Sequence, residues 1–275
     1  MELFVPKNEL SIFPFKTVQV IPYHMQSGVM NMALDYFFAQ NMSEAQPPIL
    51  RFYGWKPYTL SLGFHQSVSL VDVPKVRKSG YDLVRRPTGG SAIFHSEELT
   101  YSLILPRASV EHHAVYYLFH KLLAQALNEL GFPVELNFAG DSENYLKEGR
   151  KRFACFNRPA FAEIKFRNKK VVGSAQKLYR NALLQHGSIL IGPKQNEIVE
   201  FLRLNEREKE QQKRILRKTA ISLSQITPGL LTPQTIAEAL LASFEKYLKT
   251  QFFYRTLSSY DLEHAQKFVH YFKIK

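Results

Sequence analysis

One cysteine, Cys155, in a chain of 275 residues removes two classes of architecture at once. An internal disulfide framework is excluded, and so is a metal centre built from several thiolates. Long hydrophobic runs are equally absent: no stretch approaches the ~20 apolar residues needed to span a bilayer. The opening MELFVPKNELSIFPF has acidic and polar residues where a secretory signal needs a basic start and an unbroken apolar run. A cytoplasmic protein without a membrane partner is therefore expected. There is no G-x-S-x-G elbow, no Walker phosphate loop and no dinucleotide G-x-G-x-x-G. Zinc-finger spacing, an RNP-like aromatic strand and a basic heptad region are missing too, which argues against nucleic acid as a partner. His112 and His113 are adjacent rather than spaced i, i+4, so they read as a surface pair and no metal site is expected.

What is present is a basic, aromatic-rich globular chain. The net charge of +12 steers acidic partners toward it, without choosing among them. Phenylalanine (21) and tyrosine (14) are abundant enough to line a deep apolar pocket, although they would equally fill a core. TVQVIPYH reads as a strand, followed by a helix over GVMNMALDYFFAQNM. PILRFYGW and YTLSLGFHQ read as strands around a Lys56-Pro57 turn, and YDLVRRP, SAIFH and ELTYSLILP as three more. HAVYYLFHKLLAQALNELG is the clearest helix, stopped by Gly131. Short strands return between Pro133 and Gly192, the charge-dense run from Leu202 to Thr219 reads as an exposed helix or connector, and two helices close the chain. Strands broken by a few helices without regular alternation indicate an α+β fold with mixed or mainly antiparallel sheets. A single domain over residues 1–275 is expected, with a helical extension from about 230 to 275.

Three segments carry candidate chemistry. In RRPTGGSAIFHSEELTYS, paired glycines after two arginines let the backbone approach a ligand, and such turns bind anions. A plain Pro-Thr-Gly-Gly turn between strands is as good a reading of those residues. Cys155 is flanked by Lys151, Arg152 and Arg158, and Asn157-Arg158-Pro159 reads as loop. An electropositive loop favours the thiolate, the nucleophilic form, whereas most free cysteines are small core residues. In KKVVGSAQK a lysine beside small residues presents an ammonium to a carbonyl or phosphate, or else sits on a surface hairpin, and Lys169 competes with Lys170 for that place. His95, His186, Glu97 and Glu98 show no acid/base dyad by spacing.

Taken together, MNMALD, LRFYGWKPYTLSLGFHQ, RRPTGGSAIFHSEELTYS, ACFNRPAFAEI and KVVGSAQKLYRNALLQHGSIL resemble the lipoate–protein ligase and octanoyltransferase superfamily, in its order and over most of residues 17–192. The resemblance implies the α+β fold shared with biotin ligases, with a tunnel for an acyl chain. ACFNRPAFAEI looks like the cysteine loop of the Gram-positive-type octanoyltransferases. This implies transfer of octanoyl from an acidic acyl carrier protein, through a thioester on Cys155, to a lysine of a lipoyl domain. The acceptor would be glycine cleavage H protein or a dehydrogenase E2 subunit, and the enzyme a monomer with no cofactor. By the same resemblance Cys155 matches the nucleophile and Lys170 the lysine contacting the acyl carbonyl. Arg86, Gly89, Gly90 and His95 match the pocket loop, and Gly173, Ser174 and Ala175 the small-residue wall; Ser91 stands where a third glycine is common. The alternatives are an ATP-dependent lipoate ligase and an amidotransferase moving octanoyl between lipoyl proteins.

Overall fold

The computed structural model describes residues 9–138, 162–229 and 231–274. Cys155 and most of the block around it lie outside the described residues. In chain order the elements are α1 (Glu9–Ile12), β1 (Thr17–Gln26), α2 (Gly28–Asn41), β2 (Ile49–Trp55), β3 (Thr59–Leu62), α3 (Val73–Lys78), β4 (Asp82–Arg85), β5 (Ile93–His95), β6 (Glu98–Pro106) and α4 (His112–Glu129). There follow β7 (Glu135–Phe138), β8 (Ala162–Phe166), β9 (Lys169–Lys170), β10 (Val172–Leu178), β11 (Ala182–Leu190) and a 3₁₀ helix (Pro193–Phe201). The chain continues through α5 (Glu206–Thr219), α6 (Leu223–Ile226), α7 (Pro233–Leu248), β12 (Gln251–Tyr254), α8 (Ser259–Gln266) and α9 (Val269–Phe272).

The expected α+β class with mixed sheets is what the chain forms. The largest sheet has the order β10-β11-β6-β2-β1-β12, antiparallel from β10 to β2 and parallel at β2/β1 and β1/β12. Two three-stranded sheets, β4-β3-β5 and β7-β8-β9, flank it. The Lys56-Pro57 turn carries the chain from the large sheet at β2 into the small one at β3, so the two strands around it are not paired with each other. The closing segment is not purely helical, as the sequence reading had it. Gln251–Tyr254 adds a parallel strand beside β1, and two short helices follow it.

Side-chain alternation puts two different surfaces on the large sheet. Leu50 and Phe52 of β2, Leu99, Tyr101, Leu103 and Leu105 of β6, and Leu183 and Ile189 of β11 pack with α4 and α7 into one apolar cluster. The helix α4 serves this face with Val115, Leu118, Phe119, Leu122 and Leu123, the positions its periodicity singles out. The opposite face receives α2, begun by Ser27, whose hydroxyl accepts from the Met30 amide. Along α2, Leu34, Phe37 and Phe38 are buried together with Asn31 and Asp35, a polar pair at i, i+4 on the face turned to the sheet. The charge-dense run forms α5, an exposed helix opened by a capping box of Asn205 and Glu208 and anchored by buried Leu216.

Candidate active site

The site lies on the α2 face, where strand register stacks polar side chains in rows. Arg51 pairs with Ser102 and Ser102 with His186; Tyr53 pairs with Thr100 and Thr100 with Ser188. The first row converges on Asp35. Its carboxylate binds the Arg51 guanidinium and accepts from Ser102 Oγ (2.7 Å), Tyr53 OH (3.0 Å) and His186 Nδ1 (3.4 Å). Burial alone would raise the Asp35 pKa, but Arg51, then His186 and Ser102, hold it below the usual carboxylate range. Burial keeps the His186 pKa below its ordinary value despite Asp35, so the imidazole is neutral. With Asp35 accepting at Nδ1, His186 Nε2 accepts from the Thr88 hydroxyl at 2.6 Å. Hydroxyl, imidazole and carboxylate thus form a chain. Because Arg51 already neutralises Asp35 and Thr88 is fully buried, the chain braces the turn that carries Thr88 rather than activating a nucleophile.

The second row converges on Glu98. Ser188 Oγ (2.6 Å), His95 Nδ1 (2.7 Å), Thr100 Oγ1 (2.5 Å) and Trp55 Nε1 (3.2 Å) all donate to it. Burial pushes the Glu98 carboxyl pKa up, yet His95 and these hydrogen bonds hold it below its ordinary value. The Trp55 indole stacks on His95 with ring centroids 3.9 Å apart. Spacing concealed this His95–Glu98 pair; the two-residue turn Ser96-Glu97 between β5 and β6 brings it together.

Both rows contribute to the floor of a narrow, partly open pocket. Of the residues expected from sequence, Arg86, His95, Gly173, Ser174 and Ala175 line it, joined by Met32, Tyr53, Trp55, Ile93 and His186, which sequence reasoning did not assign. Gly89 and Gly90 sit exposed on the turn above, Gly90 at φ +93°, a conformation glycine alone adopts freely. The twin arginines clamp this turn. Arg86 Nη2 donates to the carbonyls of Gly89 (2.8 Å) and Ser91 (2.7 Å), and Arg85 Nη1 to those of Gly63, Phe64 and Gln66. The anion-binding reading of the flanking arginines is thereby changed: these donors are spent on backbone carbonyls.

Lys170 does not line the cavity but lies behind its wall. Its buried Nζ is 3.1 Å from Glu163 Oε1, and Glu163 Oε2 is 2.7 Å from Lys165 Nζ. Lys169, the competing lysine, is on the other side of the strand and more exposed. His120 of α4 is buried against the pocket wall, with Nε2 2.8 Å from Ser174 Oγ. Burial and then the Lys170 charge lower its pKa to about 3, against the Ala162 backbone. Tyr101 OH meets the same Ser174 hydroxyl at 2.7 Å. At the start of α4, Glu111 caps the helix through the His113 and Ala114 amides, and His112 and His113 beside it, with ring centroids 3.9 Å apart, are at the surface, as expected.

Comparison with known proteins identifies the family to which this mixed-sheet α+β fold belongs. The lipoyl protein ligase A/B catalytic-domain model matches residues 27–245. Octanoyltransferase LipM of Macrococcus caseolyticus is 37% identical over 82% of this chain and 84% of its own length. The LipM of Staphylococcus epidermidis is 33% identical over 86% and 89%. A bipartite lipoate protein ligase of Thermoplasma acidophilum superposes with a TM-score of 0.75 at 18% identity, covering 93% of this chain and 92% of that one. The chain belongs to the lipoyl protein ligase A/B catalytic-domain family and is an acyltransferase.

Proposed function

We propose that the protein moves an octanoyl group from octanoyl acyl carrier protein, through a thioester on Cys155, to a lysine of a lipoyl domain, in lipoate biosynthesis. The observation that carries this reading is the narrow pocket walled by the small residues Gly173, Ser174 and Ala175 and lined by Trp55, Met32 and Ile93. An apolar slot of that kind takes an alkyl chain, and eight carbons supply roughly 5 kcal/mol at ~0.8 kcal/mol per buried methylene. Relatives at 31–37% identity are octanoyltransferases.

In the first step the Cys155 thiolate attacks the thioester carbonyl, and the tetrahedral oxyanion collapses with departure of the carrier's thiolate, which takes up a proton. In the second the acceptor lysine, as free amine, attacks the acyl-enzyme. The amide forms, the amine proton leaves and the Cys155 thiolate is released. Lys170 supplies the cation that favours the thiolate beforehand and, by turning from Glu163 toward the acyl oxygen, the oxyanion in both steps. Its Nζ rests 3.1 Å from Glu163 Oε1, a carboxylate shared with Lys165, so contact with the acyl oxygen requires the ammonium to exchange that partner for it. Arg86, with Gly89 and Gly90, shapes the entrance. His95 fixes the Trp55 plane that closes the slot. Thioester to amide is downhill, and neither ATP nor metal enters either step.

The test is donor choice. Octanoyl carrier protein is expected to octanoylate a lipoyl domain without ATP. Modification that requires ATP and free acid would make the protein a ligase, and a donor restricted to octanoylated lipoyl proteins would make it an amidotransferase.

A further inference from the structure

We infer that the rim of the cavity, centred on Phe64 and Lys177, is the docking surface for the acidic carrier protein that delivers the acyl chain; this rests on the transfer reading above. Three segments meet there: 63–70 after β3, 85–92 at the glycine turn, and 172–181 along β10. Gly63 packs on the turn so closely that a Cβ there would lie 1.9 Å from the Gly90 carbonyl oxygen, and the Phe64 amide donates to the Thr88 carbonyl at 2.9 Å. On β10, Gly173, Ala175 and Lys177 share one face; the first two wall the cavity, and Lys177 continues that face outward to put Nζ 4.7 Å over the Phe64 ring.

Phe64 is 47% exposed although its backbone is tied down, since Arg85 Nη1 binds the carbonyls of Gly63, Phe64 and Gln66 at 2.9, 3.0 and 2.6 Å. An exposed ring fixed in advance loses little freedom on contact, which is how aromatic anchors of protein interfaces behave. The three segments hold Arg85, Arg86, Lys177 and Arg180 with His65, and not one Asp or Glu. Arg85 and Arg86 turn inward to carbonyls, which leaves Lys177 as the cation beside the aromatic anchor, with exposed Arg180 further along the same segment. A basic rim with one apolar knob, surrounding the entrance to an acyl slot, fits an acidic protein whose thioester arm must enter that slot.

The experiment compares two donors with the full-length protein and its Lys177→Glu and Phe64→Ala variants. Acylation by octanoyl carrier protein is expected to show KM raised about tenfold or more for Lys177→Glu, with kcat little changed and the salt dependence of kcat/KM reduced. Phe64→Ala is expected to raise KM by several-fold. Acylation by octanoyl-N-acetylcysteamine, which has no protein to dock, stays at the wild-type rate, as does transfer from the preformed acyl-enzyme to the lipoyl domain. An unchanged KM for the carrier overturns the inference. So does an equal loss with the small thioester, or an equal loss in the transfer to the lipoyl domain. Wild-type protein that is acylated by neither donor instead defeats the transfer reading itself, so the two failures are distinguishable.

Discussion

The two faces of the large sheet are built from alternate residues of the same strands, yet they do different work. In β6, Leu99, Tyr101, Leu103 and Leu105 point into the cluster with α4 and α7, while Glu98, Thr100 and Ser102 point toward α2 and the cavity. The α4 face is held by nonspecific apolar burial, which tolerates shape changes gradually. The α2 face buries two carboxylates, an arginine and two histidines whose partners are fixed one by one. Such a network adds little net stability but fixes positions, because removing one member leaves another buried and unpaired. The difference teaches that the α4 face keeps the sheet folded and the α2 face keeps the cavity shaped.

The comparison is broken most severely at Asp35. Asp35→Ala leaves the Arg51 guanidinium fully buried without its carboxylate and is expected to destabilise by about 3–5 kcal/mol, read as a fall in the urea midpoint. A comparable functional loss follows from removing the cation behind the wall. Lys170→Ala is expected to reduce octanoyl transfer by roughly 100-fold or more, as loss of one oxyanion partner does, measured as kcat under saturating donor. On the dry face, Leu122→Ala is expected to lower stability by about 2–5 kcal/mol in the same denaturation assay while transfer per folded molecule is retained.

A further effect is in pH. Burial and the Lys170 charge lower the His120 pKa from its ordinary 6.5 to about 3. Below pH 6.5 the unfolded chain binds a proton that the folded chain refuses, so this contribution is complete above that pH and is lost as pH falls from 6.5 toward 3. Asp35 and Glu98, whose folded pKa values are depressed, contribute above the ordinary carboxylate range and lose that contribution as pH falls through it. Thermal melts are therefore expected to fall in two phases on acidification, and His120→Gln is expected to flatten the upper one.

How much of this was legible in sequence follows the same division. The α4 face was readable because its information is local: Val115, Leu118, Phe119, Leu122 and Leu123 repeat at helical spacing on an otherwise polar helix. The glycine turn and the small residues of β10 were readable as motifs, and five of the expected residues do line the cavity. The α2 face was not readable, because its pairs are joined by strand register across 151 residues for Asp35 and His186 and 90 for Glu98 and Ser188. Two signals were available: a polar i, i+4 pair, Asn31 and Asp35, within the apolar helix, and Arg51 inside ILRFYGW, a strand whose every residue is buried. The strand β12 escaped because QFFY is four residues between helices and is set by its pairing with β1 rather than by any alternation of its own.

The central claim is a covalent one, and mass spectrometry addresses it directly. Intact protein mixed with octanoyl carrier protein in the absence of acceptor and ATP is expected to gain one octanoyl group. That group should map to the peptide containing Cys155, be absent in Cys155→Ala, and be discharged when the lipoyl domain is added. An adduct that persists in Cys155→Ala, or full transfer by that variant, would contradict the account.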